Sequence, residues 1–226
     1  MCICDFCDTE GGLEKKRREL AIQSDFNICD SWGLFTGMDK RKKGITAEDV
    51  FFTAVNNLGM EITKDEIFMI FFSLDRDGDG MLDQIEITEC FMPHEISYAK
   101  ILNSRGGLYG KEKNTKDIFI KSTRECLVRF IRGFVDCEMA LEKLRQKITN
   151  KLEVDATQAF EAIDANHKGY ILLGDLTQFL EKNNMYPATK NLKLVFSHFD
   201  KDQGGKIDFD EFVAGVTPFL SGVKDF

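Results

Sequence analysis

The sequence predicts an all-α fold of two pairs of helix–loop–helix units joined by an additional helical segment. Two observations carry this. The first is an internal repeat: Asp39 and Asp75 begin two charged loops, Asp164 and Asp200 begin two more, and in each pair the starts lie 36 residues apart. The second is periodicity, because each loop follows one apolar, Phe-rich segment at helical spacing and precedes another. A chain of 226 residues with 43% hydrophobic content and 20 Phe has material for two cores. The expected organisation is a Cys-containing tail over 1–25, a first pair over 26–96, a flexible connection with two linker helices over 97–151, and a second pair over 152–226.

The tail opens with Cys2, Cys4 and Cys7, and reads as disordered and reduced. A zinc knuckle lacks a nearby fourth ligand, the next candidate being Cys29 across a charged stretch. In the first pair, Thr46 with Asp49 and Thr63 with Glu66 have the spacing of a hydroxyl N-cap and an acid three positions on. Helices therefore begin near Ala47 and Lys64, and Ile67, Ile70, Phe71 and Leu74 form a buried stripe on the second. Pro93 stops the helix that leaves the second loop. Ser104–Thr115 holds Gly106, Gly107 and Gly110 among charges and reads as a flexible connection. Lys116–Phe134 and Asp136–Lys151 follow as two helices, with Ile118, Cys126, Phe130 and Phe134 on the apolar face of the first and Leu141, Leu144 and Ile148 on that of the second. Asn183, Asn184 and Pro187 mark the turn between the third and fourth units.

Composition excludes several functions. A net charge of −8 argues against nucleic acid, whose phosphates need a basic face, and makes cations the expected ligands. No apolar run of about 18 residues spans a bilayer, and the N-terminus lacks the apolar core of a secretory signal. The chain is expected to be cytoplasmic, its seven cysteines free thiols. Membrane attachment is expected only if the N-terminal cysteines are acylated, since no Gly follows Met1 for myristoylation.

The second and fourth loops fit calcium. Ca²⁺ takes six to eight oxygens, which a twelve-residue loop supplies from positions 1, 3, 5, 7, 9 and 12, with Gly at 6 for the sharp turn. The second loop provides Asp75, Asp77 and Asp79, the Met81 carbonyl, Asp83 and Glu86, with Gly80 at 6 and Leu82 at 8 as a short strand. The fourth provides Asp200, Asp202, the Lys206 carbonyl, Asp208 and Glu211, with Gly205 at 6 and Ile207 at 8. Its weak point is Gly204 at position 5, where a water replaces the missing side chain and lowers the affinity.

The other two loops are degenerate. The third keeps Asp164, Asn166, Gly169 and Ile171, but places Lys168 at position 5, Leu172 at 9 and the short Asp175 at 12, so it is kept for its pairing strand. The first, from Asp39, puts Arg41 and Lys43 at ligand positions; with Gly44 aligned at 6, Ile45 arrives early and the loop reads as one residue short.

These motifs make the chain similar to the EF-hand superfamily and, with four hands in two pairs, to calmodulin, over roughly residues 26–95 and 152–220. The resemblance implies a small two-stranded β-ribbon inside each pair. The insert, RECLVRFIRGF followed by EMALEKLRQKI, is similar to segments of EF-hand proteins of protists and cilia. The expected function is calcium binding by the second and fourth hands in a calcium-responsive module that binds another protein, such as a helical target. The alternatives are a constitutive component of a cytoskeletal or ciliary assembly, or a calcium buffer. No enzyme is expected: His94, His167 and His198 fall at a helix end, in a loop and on a Phe-rich helix, and no nucleophile, base and orienting group assemble around them.

Overall fold

The computed structural model describes residues 3–106, 115, 118–151 and 156–219. The chain divides into one unit of residues 12–138 and a second of residues 1–11 with 139–226. Two long helices, α1 (Ile3–Ala21) and α7 (Lys121–Lys151), contribute residues to both units.

In the first unit, α2 (Ile28–Phe35) and α3 (Ala47–Phe52, running into a π turn over Thr53–Asn57) flank the first loop. Helices α4 (Lys64–Leu74) and α5 (Gln84–Phe91) flank the second, and α6 (Ile96–Asn103) follows. The expected caps are formed. Thr63 Oγ1 accepts from Glu66 N at 3.2 Å while Glu66 Oε2 accepts from Thr63 N at 2.7 Å, and Thr46 with Asp49 closes the same box on α3. The apolar space between these helices is closed by α7, whose Phe130, Ile131 and Phe134 line one pocket with Phe35, Ile70, Phe71, Ile87 and Phe91. The Phe130 and Phe91 rings lie 5.2 Å apart. Arg132 of α7 donates to the Glu61 carbonyl and, at 2.8 Å, to Glu66 Oε1, and Arg124 donates to the Asn57 carbonyl.

In the second unit, α8 (Ala156–Ile163) and α9 (Leu173–Lys182) flank the third loop, and α10 (Thr189–Phe199) and α11 (Phe209–Val216) the fourth. Phe160 packs between Phe209 and Phe212 with ring centroids 5.4 and 5.5 Å away. Strands β1 (Tyr170–Ile171) and β2 (Ile207–Asp208) pair antiparallel, Tyr170 opposite Asp208 and Ile171 opposite Ile207. In the first unit the ribbon shrinks to a single bridge, Ile45 with Leu82. A Cβ on Gly44 would sit 2.9 Å from the Met81 Cβ, so glycine is what lets the two loops approach there.

Three expectations are corrected. Residues 3–21 are a helix, not a disordered tail. Phe6, Glu10, Leu13, Arg17 and Leu20 stand at helical spacing and are buried, and the charged members of that stripe, with Gly11 and Gly12, hid it. Cys7 is fully buried, so its thiol is not open to acylation in this fold. The two linker helices are one, because nothing between Phe134 and Asp136 breaks the backbone, and Gly133 lies within it beside the flexible end of the Lys16 side chain. Most of the expected flexible connection, residues 107–114, lies outside the described residues. Finally, the first loop is longer rather than shorter. From the end of α2 at Phe35 to the strand residue Ile45 is two residues more than from Leu74 to Leu82, and Gly37 and Met38, at φ +63° and +66°, take up the excess. Gly44 is therefore not the turn residue.

Candidate metal centres

Each of loops two to four is shaped by its own backbone. The fourth and sixth residues adopt positive φ in all three: Gly78 and Gly80, His167 and Gly169, Gln203 and Gly205. Glycine at the sixth place meets that demand without strain. The turn aims backbone N–H groups at the first aspartate: Gly80 N donates to Asp75 Oδ2 at 3.1 Å and Gly205 N to Asp200 Oδ2 at 3.0 Å. At the other end of the loop, the ninth residue caps the departing helix. Asp83 Oδ1 accepts from Glu86 N at 2.8 Å and Asp208 Oδ1 from Glu211 N at 2.9 Å, while the glutamates bond back to the cap N–H groups.

The result is two convergent carboxylate groups. Oxygens of Asp75, Asp77 and Glu86 lie within 4.8 Å of one another, and so do oxygens of Asp200, Asp202 and Glu211. Other expected ligands are differently engaged: Asp79 Oδ1 accepts from Met81 N at 2.7 Å, and Asp83 and Asp208 act as caps. Gly204 N donates to Asp202 Oδ1 at 2.7 Å, turning that carboxylate toward the loop.

The donor set fits a hard cation, and two observations say so. Asp200 Oδ1 is buried without a hydrogen-bond partner, an expensive arrangement unless an ion completes it. Burial, together with the Asp83 and Asp77 charges, also pushes the Glu86 carboxyl above its usual range despite N–H donors from Asp83 and Arg76. The Asp200 carboxyl is likewise pushed up, by burial and the Glu211 charge. Crowded carboxylates of raised basicity are what a divalent cation relieves.

Sequence reasoning missed the groups that hold the departing helices. Arg17 Nε of α1 donates to the Cys90 carbonyl in the last turn of α5 at 3.0 Å, and Arg145 Nε of α7 donates to the Gly215 carbonyl in the last turn of α11 at 2.8 Å. Each arginine is buried beside a glutamate three residues earlier, Glu14 or Glu142, at 3.6 Å. Those glutamates accept from backbone just beyond the same helices, His94 N at 3.3 Å and Phe219 N at 3.1 Å. Burial opposes ionisation of Glu14, but bonds from the His94 side chain and backbone and the Arg17 charge outweigh it and hold its pKa below the ordinary value. A signal was present: Leu13-Glu14-Lys15-x-Arg17 recurs as Leu141-Glu142-Lys143-x-Arg145.

Comparison with known proteins agrees with this geometry. Profiles of the EF-hand domain pair match residues 41–91 and 153–217, together just over half of the chain. The probable calcium-binding protein CML31 of Arabidopsis thaliana is 24% identical over 79% of this chain and 90% of its own length. A 16 kDa calcium-binding protein of Schistosoma mansoni is 26% identical over 65% of the chain and 90% of its own length, and a troponin C isoallergen of Blattella germanica 22% identical over 81% and 89%. With two matched pairs, the ribbon between paired loops and relatives of this kind, the chain belongs to the EF-hand superfamily of calcium-binding proteins.

Proposed function

We propose that the chain binds one Ca²⁺ in each pair, through the second and fourth hands, and acts as a calcium-responsive module that binds another protein. The observation that carries this reading is mechanical. In each pair one residue of the carboxylate group, Glu86 or Glu211, sits in the first turn of the helix that leaves the loop, and the last turn of that helix is held by Arg17 or Arg145. When bound, Ca²⁺ supplies the charge against which the carboxylates close. Glu86 and Glu211 then orient the first turns of α5 and α11 toward their loops, and the Arg–carbonyl bonds carry any rotation of α5 to α1 and of α11 to α7. Asp75, Asp77, Asp79, Asp83 and the Met81 carbonyl are the remaining oxygens of the first site; Asp200, Asp202, Asp208, the Lys206 carbonyl and a water at Gly204 are those of the second.

A protein partner is supported by exposed aromatic side chains on one pair, where Phe68 and Phe72 stack at 6.0 Å on α4. The net charge supports a partner other than nucleic acid. A binding role accords with the settings of His94 and His198, whose rings meet the buried carboxylates of Glu14 and Glu10 at 3.2 and 3.5 Å. Among the described residues, no helix is long and apolar enough to cross a membrane. The second reading, a constitutive part of a cytoskeletal or ciliary assembly in the cytoplasm, is favoured by the space between the first two hands being filled by Phe130, Ile131 and Phe134 of the same chain.

Calcium titration by calorimetry on chelator-stripped protein, with binding of a hydrophobic dye in both states, separates these readings. Two ions with newly exposed apolar surface are expected for the responsive module. Two ions with no exposure support the constitutive role, and no uptake overturns both. Within the fourth hand, Gly204→Asp adds a carboxylate at position 5. The nearest atom to a Cβ there is Asp202 Oδ1, at 2.7 Å, at the end of a side chain that can turn aside, so calorimetry is expected to show about tenfold tighter binding at that site, in line with tuning by ligand charge.

A further inference from the structure

In both degenerate hands a lysine occupies the same place. Lys168 lies three residues before the strand residue Ile171, and Lys42 three residues before Ile45. The Lys168 ammonium lies 2.8 Å from Asp164 Oδ1 and 2.9 Å from Asp175 Oδ2, and the Lys42 ammonium 2.5 Å from Asp49 Oδ1. Asp175 and Asp49 each stand four residues beyond the strand residue, where the other two hands carry Glu211 and Glu86. The contacts around them are also shared. Leu172 N donates to Asp175 at 2.7 Å and Thr46 N to Asp49 at 2.8 Å, as Asp208 N donates to Glu211.

The comparison is closest between the third and fourth loops. Gly169 N donates to Asp164 Oδ2 at 2.7 Å, as Gly205 N does to Asp200 Oδ2. The remaining oxygen differs: Asp200 Oδ1 is the buried atom without a partner, whereas Asp164 Oδ1 is taken by Lys168. The third loop thus has the hydrogen-bond frame of an ion-binding loop with a cation that belongs to the chain.

We propose that Lys168 is a tethered cation that holds the third hand in the ion-bound arrangement without metal, that Lys42 pins the acid end of the first loop through Asp49, and that each so positions the neighbouring hand for Ca²⁺. This rests on the reading that the second and fourth hands take the ion. Without the ammonium, Asp164 and Asp175 face each other as like charges and the loop opens. An ammonium on the loop itself is present at high effective concentration and is untouched by chelators. The ribbon passes the order on. Ile171 pairs with Ile207, whose next neighbour is the cap Asp208 of a helix that carries Glu211 in its first turn; Ile45 stands in the same relation to Leu82, Asp83 and Glu86. Lys168 and Lys42 are therefore positioning residues for sites they do not touch.

The test is Ca²⁺ calorimetry and amide hydrogen exchange on the full chain, comparing the unaltered protein with Lys168→Met, which keeps the stem and removes the charge, and Lys168→Arg, which keeps the charge. Far-UV circular dichroism verifies that each variant retains its helices. Lys168→Met is expected to weaken one of the two Ca²⁺ sites about 5-fold, the lower end of coupling between sites, and to expose the Gly169 amide to exchange in chelator-treated protein. Lys168→Arg is expected to stay close to the unaltered chain, and Lys42→Met to weaken the other site. Unchanged affinity and unchanged Gly169 protection in Lys168→Met overturn the proposal. If the unaltered protein takes up no Ca²⁺, the reading of the second and fourth hands fails on its own, while the Gly169 amide in metal-free protein still decides whether the lysine holds the third loop.

Discussion

Glu86→Gln and Glu211→Gln are each expected to leave the protein with one Ca²⁺ site instead of two. The amide keeps the length of the side chain and its place in the capping box, so the helix start survives. What is lost is one coordinating oxygen and the charge. Two charge-assisted contacts at about 1.5 kcal/mol each amount to roughly 100-fold in affinity at the altered site. In the metal-free protein the amide relieves the crowding of Glu86 by Asp83 and Asp77, but its single acceptor oxygen replaces two that take Arg76 N and Asp83 N. The expected signature is a calorimetric stoichiometry of one with an unchanged far-UV circular dichroism spectrum. Two ions still bound tightly by either variant would remove these loops as the sites.

Arg145→Ala and Arg17→Ala are expected to cost stability directly, by about 3–5 kcal/mol each, the usual loss when one member of a buried charged pair is removed. Arg145 is 3% exposed; its loss strips the Gly215 carbonyl of a donor, leaves Glu142 without its adjacent charge, and removes the guanidinium stacked 4.2 Å from the Phe219 ring centroid. Arg17 stands in the same relation to Cys90 and Glu14. Urea unfolding measures both. Trp32, the single tryptophan, is buried in the unit that contains Arg17, so its fluorescence reads that variant. Replacing the pair together, Glu142→Gln with Arg145→Met, is expected to cost less than Arg145→Ala, because no buried charge is left alone. Equal losses from the single and the double variant would mean that the arginine acts through packing rather than through its hydrogen bond and charge.

The pairs of loops, the helix starts at Ala47 and Lys64, the stop before Pro93 and the strand residues Leu82, Ile171 and Ile207 were legible in the sequence because each rests on local chemistry. Caps bond within three residues, a twelve-residue loop carries its ligands within itself, and glycine at the sixth place is required by the backbone alone. Apolar periodicity then supplied the helices between the loops. Where burial involved charge, that signal failed: the stripe on α1 includes Glu10, Glu14 and Arg17, which Cys90, His94 and His198 meet from distant positions. The length of the first loop was hidden for a related reason, since its register is set by Ile45 pairing with Leu82, 37 residues on, and not by its own acidic residues. The two lysines show the division most clearly. Residue type alone marks Lys168 as a charge that repels an ion, and only the tertiary fold, by closing Asp164 and Asp175 around it, makes that charge the loop's own cation.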